Sequence, residues 1–183
     1  MCVCPSWLSF ILYNPFRKAL TDRKKILNES GITTDSVVLE VGAGNGFLTE
    51  VVAEHAKKVY AVELQDGMVK KLEKRVQRFG SKVDIIQGDI ASHSIGDEFA
   101  DVCLMYYSFH EVVNKVDAAE IMSKAIKMGG ILSIYEPTIE VKKPDMQKTT
   151  VMFEGMGFKK EIEWNRFFTR FVRLRKQKRI NPS

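Results

Sequence analysis

The chain has 183 residues, 45% of them hydrophobic, and 28 lysines and arginines against 23 aspartates and glutamates, for a net charge of +5. That is one domain's length, and it buries a core without needing disulfides or a structural metal. No apolar run reaches the length of a bilayer span, so a membrane partner is not expected.

The opening stretch MCVCPSWLSFILYNPFRK has a short apolar run, and its charges Arg17 and Lys18 follow that run instead of preceding it. This is the reverse of a secretion signal. With only three cysteines in the chain, the expected compartment is a reducing cytoplasm. Strand-like and helix-like stretches then alternate. SVVLEV (36–41) is a continuous β-branched run, as in a strand buried on both faces. FLTEVVAEHA (47–56) has helical spacing, KVYAVEL (58–64) reads as a second strand, and DGMVKKLEKRVQRF (66–79) as an amphipathic helix. KVDIIQGD (82–89) and FADVCLMYYS (99–108) are strands three and four. DAAEIMSKAIKM (117–128) reads as a helix stopped by Gly129 and Gly130, and GILSIYE (130–136) as strand five. FKKEIEW (158–164) and FFTRFVRLR (167–175) read as a hairpin. The pattern predicts an α/β domain with a mostly parallel sheet, helices on both faces and a C-terminal antiparallel hairpin. Ligands of such sheets sit beyond the carboxyl ends of the strands, at the switch point.

The first such end is VGAGNGFL, with Gly42, Gly44 and Gly46 at alternate positions between strand and helix. Glycine permits unusual dihedrals and close approach of a ligand, and the helix start offers free amides. A dinucleotide fingerprint needs a sixth-position glycine, where Phe47 stands; a phosphate-binding P-loop needs a following Lys and Ser or Thr, which are absent. The second strand ends at Glu63, 21 positions after Gly42, a separation at which a carboxylate reaches the ribose hydroxyls of an adenosine ligand. The third ends in QGDI, placing Asp89 or Ile90 beside an adenine. Acidic residues at Glu40, Glu63 and Asp89 disfavour a phosphorylated ligand and suit an adenosine cofactor with a positive group.

VLEVGAGNGFL, VYAVEL, IIQGDI and KMGGILSIYEP together resemble the successive motifs of class I S-adenosylmethionine-dependent methyltransferases, with Met128 where the family often has proline. The resemblance covers roughly residues 20–175. It implies a Rossmann-like sheet of seven strands with the last antiparallel, and S-adenosylmethionine as cofactor. It also implies cofactor contacts from Glu40, Gly42, Ala43, Gly44, Asn45 and Gly46 near the methionine part, from Glu63 and Leu64 at the ribose, from Asp89 and Ile90 at the adenine, and from Tyr106. The expected organisation is a single methyltransferase domain over 1–183. Its segment 1–30 forms a lid, with Trp7, Phe10 and Tyr13 available for an apolar cover, and 31–183 form the cofactor-binding core.

An enzyme of this class mainly aligns its acceptor with an already activated methyl group. A base helps where the acceptor carries a proton, and the place to look is LMYYSFHEVVNK after strand four. His110 and Glu111 are the candidate catalytic residues there. His110 equally suits a packing role, and Glu111 a helix start. Glu136, before Pro137, also faces the expected site. The first half also resembles ribosomal RNA adenine dimethylases, but Met105-Tyr106-Tyr107-Ser108-Phe109 lacks their Asn-x-Pro-Tyr type motif. A small-molecule acceptor is therefore ranked above RNA, although the basic end RFFTRFVRLRKQKR and stacking on Tyr106 or Tyr107 keep RNA as an alternative. A non-catalytic S-adenosylmethionine-binding protein is the third reading. Cys2 and Cys4 supply two ligands where a closed zinc site needs about four, so no metal is expected. Cys103 reads as core, and His55 and His93 as surface residues. The expected assembly is a monomer or homodimer.

Overall fold

The computed structural model describes residues 22–177. The expected lid residues Trp7, Phe10 and Tyr13, together with Cys2 and Cys4, lie outside the described residues. Five helices and seven strands follow in order: α1 (Arg23–Glu29), β1 (Val37–Val41), α2 (Thr49–His55), β2 (Lys58–Glu63), α3 (Asp66–Val76), β3 (Val83–Gln87), β4 (Ala100–Tyr106), α4 (Lys115–Ala125), β5 (Ile126–Pro137), α5 (Lys143–Gly155), β6 (Phe158–Asn165) and β7 (Thr169–Lys176). They build one sheet of order β3-β2-β1-β4-β5-β7-β6. The pairs among β1 to β5 are parallel, and β7 runs antiparallel to both β5 and β6. The expected α/β sheet and terminal hairpin are both present, with β7 inserted between β5 and its hairpin partner.

The β-branched and leucine-rich centre of the sheet is buried on both faces. On one face Val38, Val59, Ala61 and Leu104 pack with Ile26 and Leu27 of α1, Val51 and Val52 of α2, and Leu72 of α3. On the other, Leu39, Met105, Leu132 and Ile134 pack with Ala118 and Met122 of α4 and Met146 and Phe153 of α5. Cys103 is fully buried in β4, as its sequence position suggested. Among the described residues no helix is long and apolar enough to cross a membrane.

Four details differ from the sequence pattern. Helix α4 ends at Ala125, because Ile126 is extended and pairs with Ala100, so strand β5 starts before the glycines. Gly129 and Gly130 lie in an irregularity of that strand and do not stop the helix. Helix α1 and helix α5 occupy stretches with too few apolar residues to announce a helix; Asp22 caps α1 by accepting from Lys25 N at 2.9 Å, and Pro144 lies in the first turn of α5. Residues 22–30, within the expected lid, carry α1, which packs on the sheet and lines no part of the cavity described below. His93 is half-buried, its ring lying over Gly88 and its Nδ1 3.0 Å from the Asp89 carbonyl oxygen.

Candidate active site

The chain runs from β1 to β2 and β3 on one side, then returns to β4 on the other side of β1, so the switch point lies between β1 and β4. A cavity of about 370 Å³ opens there. It brings together Glu40, Gly42, Ala43, Gly44 and Asn45 from the end of β1, Glu63 from β2, Tyr106, Tyr107 and Ser108 from β4, His110 and Glu111 from the short helical turn that follows, and Ile139 and Glu140 from the loop after β5.

The glycine turn is shaped by its neighbours. Gly42 has φ +76, and a Cβ there would lie 2.3 Å from the Ser108 Cβ. Ser108 sits that close because its hydroxyl donates to the Val41 carbonyl at 2.7 Å, which ties the β1 and β4 ends together. Gly44 has φ +58 with open space in front of it, and its amide donates to Glu63 Oε2 at 2.7 Å. The left-handed backbone thus aims an N–H at the neighbouring strand's carboxylate. Gly46 is not part of this cavity's lining; α3 packs against it through Leu72.

Glu63 also accepts from Gln65 N at 2.8 Å through Oε1. A carboxylate has about four acceptor positions, so two backbone bonds fix its orientation and leave capacity for two hydroxyls. Glu40 is different. It is 3% exposed, and its Oε2 has no hydrogen-bond partner. Burial pushes its carboxyl up to about 8, with the charge of Glu63 adding and the neighbouring Thr49 hydroxyl opposing. That hydroxyl is itself fully buried without a well-formed bond. Glu40 belongs to the cavity lining, and a buried acid with one oxygen unmet by the protein suits a positively charged group nearby.

At the other end, His110 is held on three sides. Its backbone amide donates to Glu136 Oε1 at 3.0 Å, Nδ1 lies 2.5 Å from Glu136 Oε2, and Nε2 lies 2.6 Å from Glu140 Oε2. Glu136 is buried at 2% exposure, so its charge acts at short range with little screening. Burial alone would lower the imidazole's pKa; the bond to Glu136 and the charges of Glu136, Glu140 and Glu111 outweigh it, and the net direction is up. With a carboxylate on each ring nitrogen, the imidazolium donates both N–H groups. Glu111 stands at the solvent-facing rim. Partial loss of hydration raises its carboxyl, His110 lowers it, and Glu140, Glu63 and Glu136 raise it, for a net rise. Tyr106 and Tyr107 stack with ring centres 4.3 Å apart, and the Tyr107 hydroxyl bonds to Thr169 Oγ1.

Besides Gly46, three cofactor residues named from the sequence stand apart from the cavity wall. Asp89 caps the turn Ile90–Ser92 by accepting from Ala91 N at 2.9 Å, and Ile90 is buried in the core. Leu64 is 56% exposed beyond Glu63. All three lie at the same end of the sheet, since Gly88 N donates to the Glu63 carbonyl at 3.0 Å. Glu140 and Ser108 are site residues that pattern reading did not single out. The available signal for Glu140 was its position just past a strand-ending Pro137. Among the described residues, no three His, Cys, Asp or Glu are grouped to hold a metal.

A sheet of this order, with a glycine turn and a ribose-spaced carboxylate meeting at its switch point, defines the Rossmann-like fold of the class I S-adenosylmethionine-dependent methyltransferases. Residues 39–134, more than half of the chain, match the family model described as a methyltransferase domain, and the chain belongs to that family. An uncharacterized methyltransferase of Geobacillus sp. (strain WCH70) is 32% identical over 116 residues, 62% of this chain and 53% of that protein. A ribosomal RNA small subunit methyltransferase of Arabidopsis thaliana is 42% identical over 82 residues, 44% of this chain and 22% of that protein. The matched part therefore spans about half the length of the first relative and less of the second. The crystal structure of a SAM dependent methyltransferase from Aquifex aeolicus superposes with a TM-score of 0.82 at 23% identity, covering 96% of this chain and all of that one, which shows the shared fold.

Proposed function

We propose that the protein transfers a methyl group from S-adenosylmethionine to a small-molecule acceptor bound between the glycine turn and the His110 cluster. The observation that carries this is that one cavity is lined together by Glu40, a preoriented Glu63 and an acid–histidine group. The residues fit the cofactor. Glu40 is placed for an ammonium, the Gly42–Asn45 turn for a backbone approach, and Glu63 for two ribose hydroxyls. The open edge around Leu64 and Asp89 is assigned to the adenine. When bound, the cofactor supplies a methyl group on a positively charged sulfur that departs as a neutral thioether. The chain's own part is positioning, worth on the order of 7–11 kcal/mol when the reacting atoms are well aligned. His110, paired on both nitrogens, fixes Glu140 against Glu136 and so acts as a positioning residue; Glu111, free at the rim, is the group suited to take a proton from the acceptor.

Isothermal titration with S-adenosylhomocysteine and a search for labelled methyl transfer from S-adenosylmethionine into small-molecule extracts test the reading. Micromolar binding and a labelled product are expected; absence of binding rejects it. A second reading, RNA as acceptor, is favoured by the ribosomal RNA methyltransferases among the relatives. Against it, Arg173 and Arg175 of the basic end are engaged by Glu161. Filter binding to RNA over a salt series separates the two, since phosphate contacts require affinity to fall steeply with salt.

A further inference from the structure

We propose that the acceptor is a small amine that enters as its ammonium ion, held between Glu111 and Glu140 with its apolar body along Tyr107 and Ile139. This names the substrate class of the methyl-transfer site and rests on that reading. Four carboxylates, Glu40, Glu63, Glu111 and Glu140, line the cavity among the described residues, and no lysine or arginine does.

Among the described residues, three cations bonded to or near its lining are engaged as follows. Lys115 Nζ donates to the carbonyls of His110 and Val112 at 3.1 and 2.7 Å, and Arg23 to the Phe47 carbonyl and Glu50 at 3.1 and 3.2 Å. Arg75 Nη1 reaches Asn45 Oδ1 at 3.5 Å, behind the glycine turn. At the acceptor end the balance is three carboxylates, Glu111, Glu136 and Glu140, against the His110 ring and the Lys115 ammonium at its carbonyl. A carboxylate or phosphate acceptor meets like charge there, whereas an ammonium meets two acceptors at the rim.

At the cofactor end, Glu40 adds to the acidic character of the same lining. The residue is 3% exposed and one of its oxygens has no partner, which suits a positive group there as well. The two ammonium groups, the cofactor's at Glu40 and the acceptor's at Glu111 and Glu140, lie at different ends of it. The rim supplies apolar surface for the rest of the acceptor. Ile139 is 91% exposed, and Phe167 and Phe168 are 85% and 73% exposed beside it, joined to its loop by the Thr138 hydroxyl donating to the Phe167 carbonyl at 2.7 Å.

The ammonium loses one N–H proton to the Glu111 carboxylate, which returns it to solvent at the rim. The neutral nitrogen's lone pair then forms the bond to the methyl carbon as the carbon–sulfur bond breaks, with that electron pair left on sulfur. The methylated nitrogen leaves with a single positive charge.

The test is isothermal titration of the full chain, saturated with S-adenosylhomocysteine, against a panel of primary and secondary amines. Each amine is matched to its alcohol and carboxylate: phenethylamine with phenethyl alcohol and phenylacetate, butylamine with butanol and butyrate. At least one amine is expected to bind tenfold or more tightly than both of its matches. The Glu111→Gln/Glu140→Gln double variant is expected to lose tenfold or more of that affinity, while its S-adenosylhomocysteine affinity stays within twofold. Both side chains are largely solvent-facing, and circular dichroism confirms that the variant is folded. Binding by no amine, equal binding by an alcohol or carboxylate, or amine binding that survives both substitutions overturns the proposal. Failure of S-adenosylhomocysteine itself to bind overturns instead the methyl-transfer reading beneath it.

Discussion

Glu40 holds a carboxyl in the protonated form at a pH where ordinary carboxylates are ionised. An acid raised from 4.5 to about 8 favours the folded state fully below about 4.5. That contribution is lost as pH rises toward 8, because the unfolded chain ionises freely while the folded one does not. The difference is on the order of 5 kcal/mol. Glu40→Gln is therefore expected to raise the melting temperature of the ligand-free protein at pH 8 and to weaken S-adenosylmethionine binding tenfold or more. Calorimetry at pH 7 in buffers of different ionisation enthalpy adds a sharper readout. Pairing with an ammonium ionises Glu40, so wild type is expected to release more protons on binding than Glu40→Gln by a fraction approaching one. His110 has linkage of the same sign, though here the charged form is the one the fold favours. Its folded pKa lies above the ordinary 6.5, so its stabilisation is full below about 6.5 and is lost as pH rises through the folded value. His110→Gln should lower the melting temperature more at pH 6 than at pH 9. An equal loss at both would show that the Glu136 and Glu140 contacts carry no charge. At this scale the sequence was informative where chemistry depends on local spacing: Gly42, Gly44 and Glu63 are set by strand-to-turn geometry. Glu140 was not legible, because its role comes from His110 across the sheet end, 30 positions away in the chain.

The elements explain why the turn tolerates so little. The β1–α2 connection is pressed against the β4 end, where Ser108 reaches the Val41 carbonyl. Gly42→Ala places a methyl group 2.3 Å from Ser108 Cβ and asks an L-residue to hold φ +76. A loss of about 2–4 kcal/mol is expected from overpacking and backbone strain together, read as a lower urea midpoint. Adding Ser108→Gly removes the colliding Cβ and should restore part of it; no recovery would mean that the dihedral alone sets the cost. The strands β1, β2 and β4 were readable because burial on both faces demands unbroken β-branched and aliphatic runs. Helices α1 and α5 were not, because each buries only two or three side chains and relies on the sheet for stability. The end of α4 was misplaced for a related reason. Ile126 continues the helical spacing, but its pairing with Ala100 pulls it into β5.

For the whole molecule, order and charge together decide what the fold can serve. Reversal of the strand order about β1 opens the cavity, and β7 lies beside β5 so that the β6–β7 turn stands next to the loop that lines the cavity mouth. On the hairpin, three of the basic side chains are paired: Glu161 engages Arg173 and Arg175, and Glu163 engages Lys160. RNA affinity in a filter assay is accordingly expected to be weak at physiological salt, with a shallow salt slope. A steep slope would restore the nucleic-acid reading. The central claim is that Glu40, the glycine turn and Glu63 together hold an unphosphorylated adenosine sulfonium cofactor. A crystal structure of the full chain grown with S-adenosylhomocysteine tests it most directly. The account predicts the amino acid's ammonium within hydrogen-bond distance of Glu40 and both ribose hydroxyls on Glu63. A cofactor bound elsewhere, or a diphosphate nucleotide preferred in its place, would contradict it.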